Sequence, residues 1–170
     1  MTDRPPKIRN NIESYGDPYI GEESLRENTV CVNCGAVYMQ SRWYTTDIVP
    51  EKPSKTVGNH KTLCPACRKM RDRVPGGVLK MSGNFIWSHR EEIINLIRNE
   101  ANEALRDNPL ERVMSMETYE DEVLISTTNE KLAQRIGRAL HSAYAGDLQY
   151  KWSEDNKLAR VNWHREERGT

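Results

Sequence analysis

The sequence predicts an α+β protein in two parts, a small cysteine-bearing module followed by a sheet domain with helices packed on it. The four cysteines of the chain fall into two C-x-x-C pairs. Beyond them, two stretches carry apolar residues at helical spacing and four shorter ones alternate like strands. Only 36% of the 170 residues are hydrophobic, and the mean hydropathy is −0.82, which favours small units over one large core.

Changes of composition divide the chain into four segments. Residues 1–28 are expected to be a flexible extension, because their prolines, asparagines and glycine show no helical or strand period. The cysteine module is expected at residues 29–77, ending at a Gly-Gly pair, and the α+β domain at residues 78–165. Residues 166–170 form a polar tail.

The cysteine pairs have the spacing of a metal site. Cys31 and Cys34 lie in CVNCG, Cys64 and Cys67 lie in CPACR, and 29 residues separate the pairs. Each pair can bind one side of a tetrahedral ion, and four sulfurs leave no position for water. We therefore expect one structural Zn²⁺ ion in an N-terminal zinc ribbon with four cysteine ligands. The interval exceeds the ~15–20 residues of common ribbons, which indicates an inserted hairpin or loop.

Two other roles of the cysteines are open at this point. They could form two disulfides, although the N-terminus has no apolar run typical of a secretory signal. We expect a cytoplasmic protein, whose thiols stay reduced. One pair could instead be a redox dithiol, which would leave the other pair without a role. No stretch of the sequence has the ~20 apolar residues that cross a bilayer, so no membrane partner is expected.

Within the module, glycine and basic residues indicate the local structure. Gly35 directly follows the first pair, where a metal-binding turn often needs a positive φ. Residues 36–38 are expected to begin a short strand, and residues 47–61 to form a polar, basic loop. The run RKMRDR after Cys67 is interpreted as the start of a helix whose cations point away from the metal together.

The first helix of the α+β domain has a start signal, an apolar stripe and a stop signal. Ser88 and Glu91 have the spacing of a capping box. Apolar residues then recur on one face as far as Leu105, and an Asn-Pro pair ends the helix. Before it, residues 78–85 are interpreted as a linker or short strand.

The rest of the domain alternates between strands and a second helix. Thr127 and Glu130 form a second candidate capping box, and Gly146 ends the helix that it opens. The predicted order is α-β-β-α-β-β, a small antiparallel sheet with helices packed on it. Strands are expected at residues 110–116, 123–127, 148–153 and 158–163.

Aromatic residues line one face of the last predicted hairpin. Tyr150 and Trp152 share a face by the two-residue period, as do Val161 and Trp163. Such a face fits a core beneath two helices. If exposed, it would instead stack on unpaired bases.

Net charge is zero but unevenly distributed. Residues 51–90 carry a net +7 and residues 91–130 a net −8, with −2 before and +3 after them. The basic excess falls on the second half of the cysteine module and predicts a polyanion partner. Basic side chains would neutralise phosphates, and a tryptophan would stack on a base. The candidates are Arg42, Trp43, Lys61, Arg68, Lys69, Arg71, Arg73 and Lys80.

Sequence motifs of catalysis are missing. There is no glycine-rich phosphate loop, no G-x-S-x-G and no histidine pair at metal spacing. The four histidines are scattered, although His60 lies near the second cysteine pair as a possible spare ligand. We therefore expect a binding protein that is not an enzyme and has no small-molecule substrate.

Several stretches resemble the nonsense-mediated-decay-protein-three family. They are the paired cysteines, the basic run after them, SHREEIINLIRNEA and ISTTNEKLAQRIGRAL. The order DPY, CGAVY, RW, CPACR is also similar to short bacterial proteins, and the likeness spans about residues 17–165. In eukaryotes the family contains the nuclear export adaptor of the large ribosomal subunit, and it has shorter archaeal relatives. The resemblance implies contact with large-subunit rRNA and ribosomal proteins. Export is not implied, because this chain lacks the family's extra cysteine pairs, extra domains and export signals.

The sequence thus predicts a zinc-binding, non-enzymatic RNA-binding factor that associates with the ribosome in maturation, hibernation or quality control. One alternative is a zinc-ribbon DNA-binding protein or RNA-polymerase-associated transcription regulator, whose basic run would contact duplex phosphates. Another is a thiol-redox enzyme.

Overall fold

The structure is a computed structural model that describes residue 19 and residues 25–49, 60–154 and 158–169. Within these residues the fold is α+β, with two mixed sheets and four α-helices. Most of the expected extension at residues 1–28 lies outside the described residues, as does most of the expected loop at residues 47–61.

The first sheet contains the cysteine module. Its four strands are β1 (Thr29–Cys31), β2 (Val37–Met39), β3 (Arg42–Tyr44) and β4 (Lys61–Thr62). The strand order is β3-β2-β1-β4, with β4 parallel to β1. Helix α1 (Pro65–Asp72) follows β4 and begins with a proline, whose fixed φ suits the first helical position. The residue that follows it, Arg73, caps the helix in the left-handed conformation with φ 55°.

The second sheet corrects the expected antiparallel arrangement. Its strands are β5 (Gly77–Ser82), β6 (Val113–Thr118), β7 (Glu122–Thr127), β8 (Asp147–Ser153) and β9 (Leu158–His164). The order is β6-β7-β5-β9-β8, and β5 runs antiparallel to β7 but parallel to β9. The stretch expected as a linker or short strand is therefore the central strand. Since β5 meets β9 only after most of the domain has intervened, local sequence does not reveal this pairing.

Three helices belong to the second sheet, namely α2 (Phe85–Ser88), α3 (Arg90–Asp107) and α4 (Glu130–Tyr144). Ser88 ends α2 and does not cap α3, so the first predicted capping box is wrong. Helix α4 is capped by Asn129, whose side chain accepts a hydrogen bond from the Leu132 N–H at 3.1 Å. Thr127 is unavailable as a cap because it lies buried in β7. Within the described residues, no helix is both long enough and apolar enough to cross a membrane.

One apolar core joins the second sheet to α3 and α4. The Trp163 side chain is fully buried there, and its indole N–H donates to the Ala145 carbonyl at 2.8 Å. The aromatic face of β9 is therefore core. Helix α4 lies close to the sheet because Gly137 has no side chain, and a Cβ there would come within 2.7 Å of Val161. Trp152, at the end of β8, is 45% exposed.

Candidate metal centre

The four cysteines meet in one cluster. Their Sγ atoms all lie within 4.8 Å of one another, and all four are free thiols. Cys31 ends β1 and Cys34 follows in the next turn, whereas Cys64 directly precedes α1 and Cys67 lies in its first turn. The parallel pairing of β1 with β4 brings the two turns together, since it places Cys31 opposite Thr62.

The sulfur spacing fits a metal ion better than disulfides or a single dithiol. With Zn–S bonds of about 2.3 Å, tetrahedral sulfurs lie about 3.8 Å apart. The Sγ atoms of Cys34 and Cys64 are 3.8 Å apart, whereas a disulfide requires about 2.05 Å. A dithiol needs one pair, but here both pairs converge. The cluster can therefore hold one metal ion through four sulfurs.

N–H groups of the same module point at the sulfurs. The Cys64 N–H donates to Cys31 Sγ at 3.3 Å and the Cys67 N–H to Cys64 Sγ at 3.4 Å. The Asn33 side-chain amide donates to Cys67 Sγ at 3.4 Å. Donors of this kind stabilise thiolates over thiols. The turn that places Cys34 contains Gly35 with φ 76°, which confirms the positive φ predicted there.

Two residues near the sulfurs were not found from the sequence. Asn33 lies between the first two cysteines, but nothing in the C-x-x-C spacing identifies a role for its side chain. Arg112 lies just before β6, and its Nη1 atom is 3.7 Å from Cys67 Sγ. Because Arg112 lies 45 positions after Cys67 in the chain, no local pattern connects them.

The thiol pKa values diverge within the cluster. A hydrogen bond from the Cys64 thiol lowers the pKa of Cys34 to about 4. The same hydrogen bond, together with burial, raises the pKa of Cys64. Burial also raises the pKa of Cys67. Cys34 therefore loses its proton more readily than an ordinary thiol, whereas a metal ion would have to displace protons from Cys64 and Cys67.

Metal affinity is expected to rise steeply with pH for this reason. Below their raised pKa values, Cys64 and Cys67 must each lose a proton on metal binding, while Cys34 has none to lose above about pH 4. At least two displaced protons correspond to at least about 100-fold tighter binding per pH unit. Competition with a chromophoric chelator of known proton affinity, at pH values around neutrality, measures the slope. Release of one proton or fewer per ion would contradict these pKa shifts.

Trp43 is not available to stack on a base, which corrects the prediction from the sequence. Its side chain is only 5% exposed. In β3 it is the inward residue between two more exposed neighbours. It packs in the apolar cluster that contains Cys31, Cys64 and Cys67, and edge-on against Tyr38 with ring centroids 5.5 Å apart.

Three of the predicted phosphate-binding cations already have partners within the protein. Lys69 is buried, and its ammonium donates to the Thr128 carbonyl at 3.0 Å. Arg42 donates to the carbonyl of Asp107, the last residue of α3, at 2.7 Å. Lys80 forms an ion pair with Glu122 across β5 and β7. For Lys69 and Arg42 in particular, the positive charge joins the cysteine module to the second sheet.

The other four predicted cations lie at the surface of the cysteine module. We call this group the basic rim; it comprises Lys61, Arg68, Arg71 and Arg73. Arg68 is half-buried and donates to the Thr62 hydroxyl at 3.3 Å, which holds α1 against β4 beside the exposed Lys61. Arg71 is exposed and paired with its neighbour Asp72 at 2.7 Å, and Arg73 is exposed at the end of α1.

His60 does not belong to the metal cluster. It is exposed, and its Nε2 lies 3.4 Å from an Arg26 guanidinium nitrogen. Four sulfurs already complete a tetrahedral set, so the cluster needs no histidine.

No family model, no curated protein and no solved structure matches this chain.

Proposed function

We propose that this protein is a zinc-stapled, non-enzymatic RNA-binding factor that contacts the ribosome through the basic rim. One observation carries the proposal: four surface cations lie on or beside β4 and α1, the two elements that flank Cys64. A metal ion at the cysteines would hold these elements rigid. The cations would then meet phosphates without first losing much conformational freedom.

The metal in this proposal is structural Zn²⁺. Cys31, Cys34, Cys64 and Cys67 would hold it, in the manner of an N-terminal zinc ribbon. Thiolates favour Zn²⁺ over harder cations such as Mg²⁺ or Ca²⁺. A shell of four sulfurs has no open position for substrate or water, which supports a structural role.

The ribosome is proposed as the partner for two reasons. Phosphates are the anions that a cluster of lysine and arginine residues recognises best at a surface. The resemblance of the chain to the nonsense-mediated-decay-protein-three family implies the large ribosomal subunit, through its rRNA and ribosomal proteins. In this proposal the basic rim contacts rRNA, and the acidic residues of the stretch 91–130 face solvent or a basic ribosomal protein.

Neutralising the basic rim is expected to weaken RNA binding strongly without unfolding the protein. The variant replaces Lys61, Arg68, Arg71 and Arg73 by Gln. Loss of four phosphate contacts should reduce the slope of log Kd against log salt concentration by about 3. Binding to large-subunit rRNA is measured at several salt concentrations, together with zinc content and circular dichroism.

A matched control removes the same charge elsewhere. The control variant replaces four exposed cations of the second sheet and its helices, Arg98, Arg138, Lys151 and Arg160, by Gln. It should keep the wild-type affinity and salt dependence. Equal loss in both variants would mean that only overall charge matters. Sedimentation of the wild type with large subunits is also expected, and binding to promoter DNA with no ribosome association would favour the transcription alternative.

A further inference from the structure

Residues outside the cysteine module also cover the cysteine cluster. Residues 107–112, which connect α3 to β6, lie against it, and we call them the junction segment. Leu110 packs on the apolar side chains around the cysteines. Asp107 accepts the hydrogen bond from Arg42 at 2.7 Å. Arg112 places its guanidinium 3.7 Å from Cys67 Sγ.

Arg112 is held in position by its own segment and by the loop before α4. Its Nε atom donates to the Pro109 carbonyl at 2.8 Å. Its backbone N–H donates to the Thr128 hydroxyl at 2.9 Å, and the Thr128 N–H donates to the Arg112 carbonyl at 2.9 Å. This geometry orients the guanidinium towards the sulfurs.

The same loop also returns to the cysteine module. The Thr128 carbonyl accepts from the buried Lys69 ammonium at 3.0 Å. Lys69 and Cys67 both belong to α1. Helix α1 therefore contacts Thr128 through Lys69, Thr128 contacts Arg112, and Arg112 contacts α1 again through Cys67. A change in the position of the sulfurs is therefore expected to change the contacts of Arg112 and Thr128 as well.

We propose that Arg112 is a positioning residue of the metal centre that links metal binding to docking of the second sheet on the cysteine module. Four thiolates around a divalent cation leave a net charge of about −2 in a largely buried site. A guanidinium at one sulfur offsets part of that charge. By linkage, docking then tightens metal binding, and metal binding stabilises docking by the same factor. The inference rests on occupancy of the cysteines by a metal ion and not on RNA binding.

Metal affinity tests the charge contribution of Arg112. Arg112→Met removes the charge and keeps much of the side-chain length, Arg112→Lys restores the charge, and Arg98→Met is an exposed control. In the full-length protein, we expect Arg112→Met to bind Zn²⁺ about 10- to 100-fold more weakly, as is typical when an outer partner of a metal ligand is lost. Arg112→Lys should recover part of that loss, and Arg98→Met should match the wild type.

Spectroscopy and hydrogen exchange separate positioning from a general loss of stability. With Co²⁺ in place of Zn²⁺, Arg112→Met should keep the absorption of a four-sulfur site but shift its sulfur-to-metal charge-transfer band. Chelation of the wild type should expose the N–H groups of Arg112 and Thr128 to exchange. The N–H groups that pair β5 with β9 should stay protected.

Two results of these measurements would overturn the proposal. Wild-type Zn²⁺ affinity in Arg112→Met overturns it, even if chelation loosens the junction segment, because packing by Leu110 would then carry the coupling. Unchanged protection of Arg112 and Thr128 after chelation overturns the linkage. If the protein bound no Zn²⁺ at all, the proposed zinc site would be wrong as well. A failure to bind RNA would contradict the proposed function but not this inference.

Discussion

Replacing Cys64 by Ser is expected to abolish tight metal binding and to unfold the cysteine module. Cys64 is fully buried at the centre of that module, and its sulfur accepts the N–H of Cys67. Structural zinc contributes about 10–16 kcal/mol of apparent binding free energy, which exceeds the net stability of most small domains, about 5–15 kcal/mol. Strands of only two or three residues cannot replace that contribution.

Elemental analysis and thermal unfolding measure this effect. The second sheet has its own core, and none of that core's buried side chains is a cysteine, so its transition should survive while that of the cysteine module disappears. Wild-type protein treated with a chelator should behave like the Cys64→Ser variant, which serves as the control for the substitution itself. A metal-free variant in which the cysteine module still unfolds at the wild-type temperature would contradict the structural role of the metal.

Replacing Trp43 by Ala is expected to lower the free energy of unfolding of the cysteine module by about 3–5 kcal/mol. The side chain is 5% exposed and packs beside three of the cysteines, so the substitution leaves a cavity next to the metal site. Metal affinity should fall with stability, because folding and metal binding are coupled. Denaturant unfolding monitored by circular dichroism, at fixed zinc concentration, gives the change.

Trp152 provides the matched control. It is the same residue type but 45% exposed, so Trp152→Ala should lower the free energy of unfolding by only about 1 kcal/mol. The pair of variants also distinguishes a core role of Trp43 from base stacking. Stacking would predict that Trp43→Ala weakens RNA binding at unchanged stability, and that result would refute the packing described for β3.

The cysteine cluster was predictable because its information is local. Two C-x-x-C motifs determine which atoms could bind a metal ion, and the positive φ of Gly35 follows from the turn that the first motif requires. The α+β class and the two long helices were also predictable, since an apolar stripe at helical spacing persists over many residues. Helix starts were less accurate: Ser88 and Thr127 both fit the capping pattern, but Ser88 belongs to α2 and Thr127 to β7, and the N-caps are His89 and Asn129.

The central strand β5 was predicted only as a linker or short strand, because its signals are weak and its partners are distant. It begins at Gly77 and is followed by Gly83, and glycine at both ends is also typical of a linker. Its pairing with β7 and β9 joins residues far apart in the chain. A parallel partner so distant leaves no local signature, so the sheet was expected to be purely antiparallel.

By itself, the sequence determined which atoms can hold a metal ion and where positive charge is concentrated, because spacing and composition are properties of the chain. Only the tertiary structure decided how each charge is used. It buries Lys69 against Thr128, directs Arg42 to the end of α3 and leaves the basic rim at the surface. It also brings Arg112 to Cys67. The physical reason is that the exposure and the partners of a charged side chain depend on which distant segment packs against it. The packing of both sheets together determines that segment.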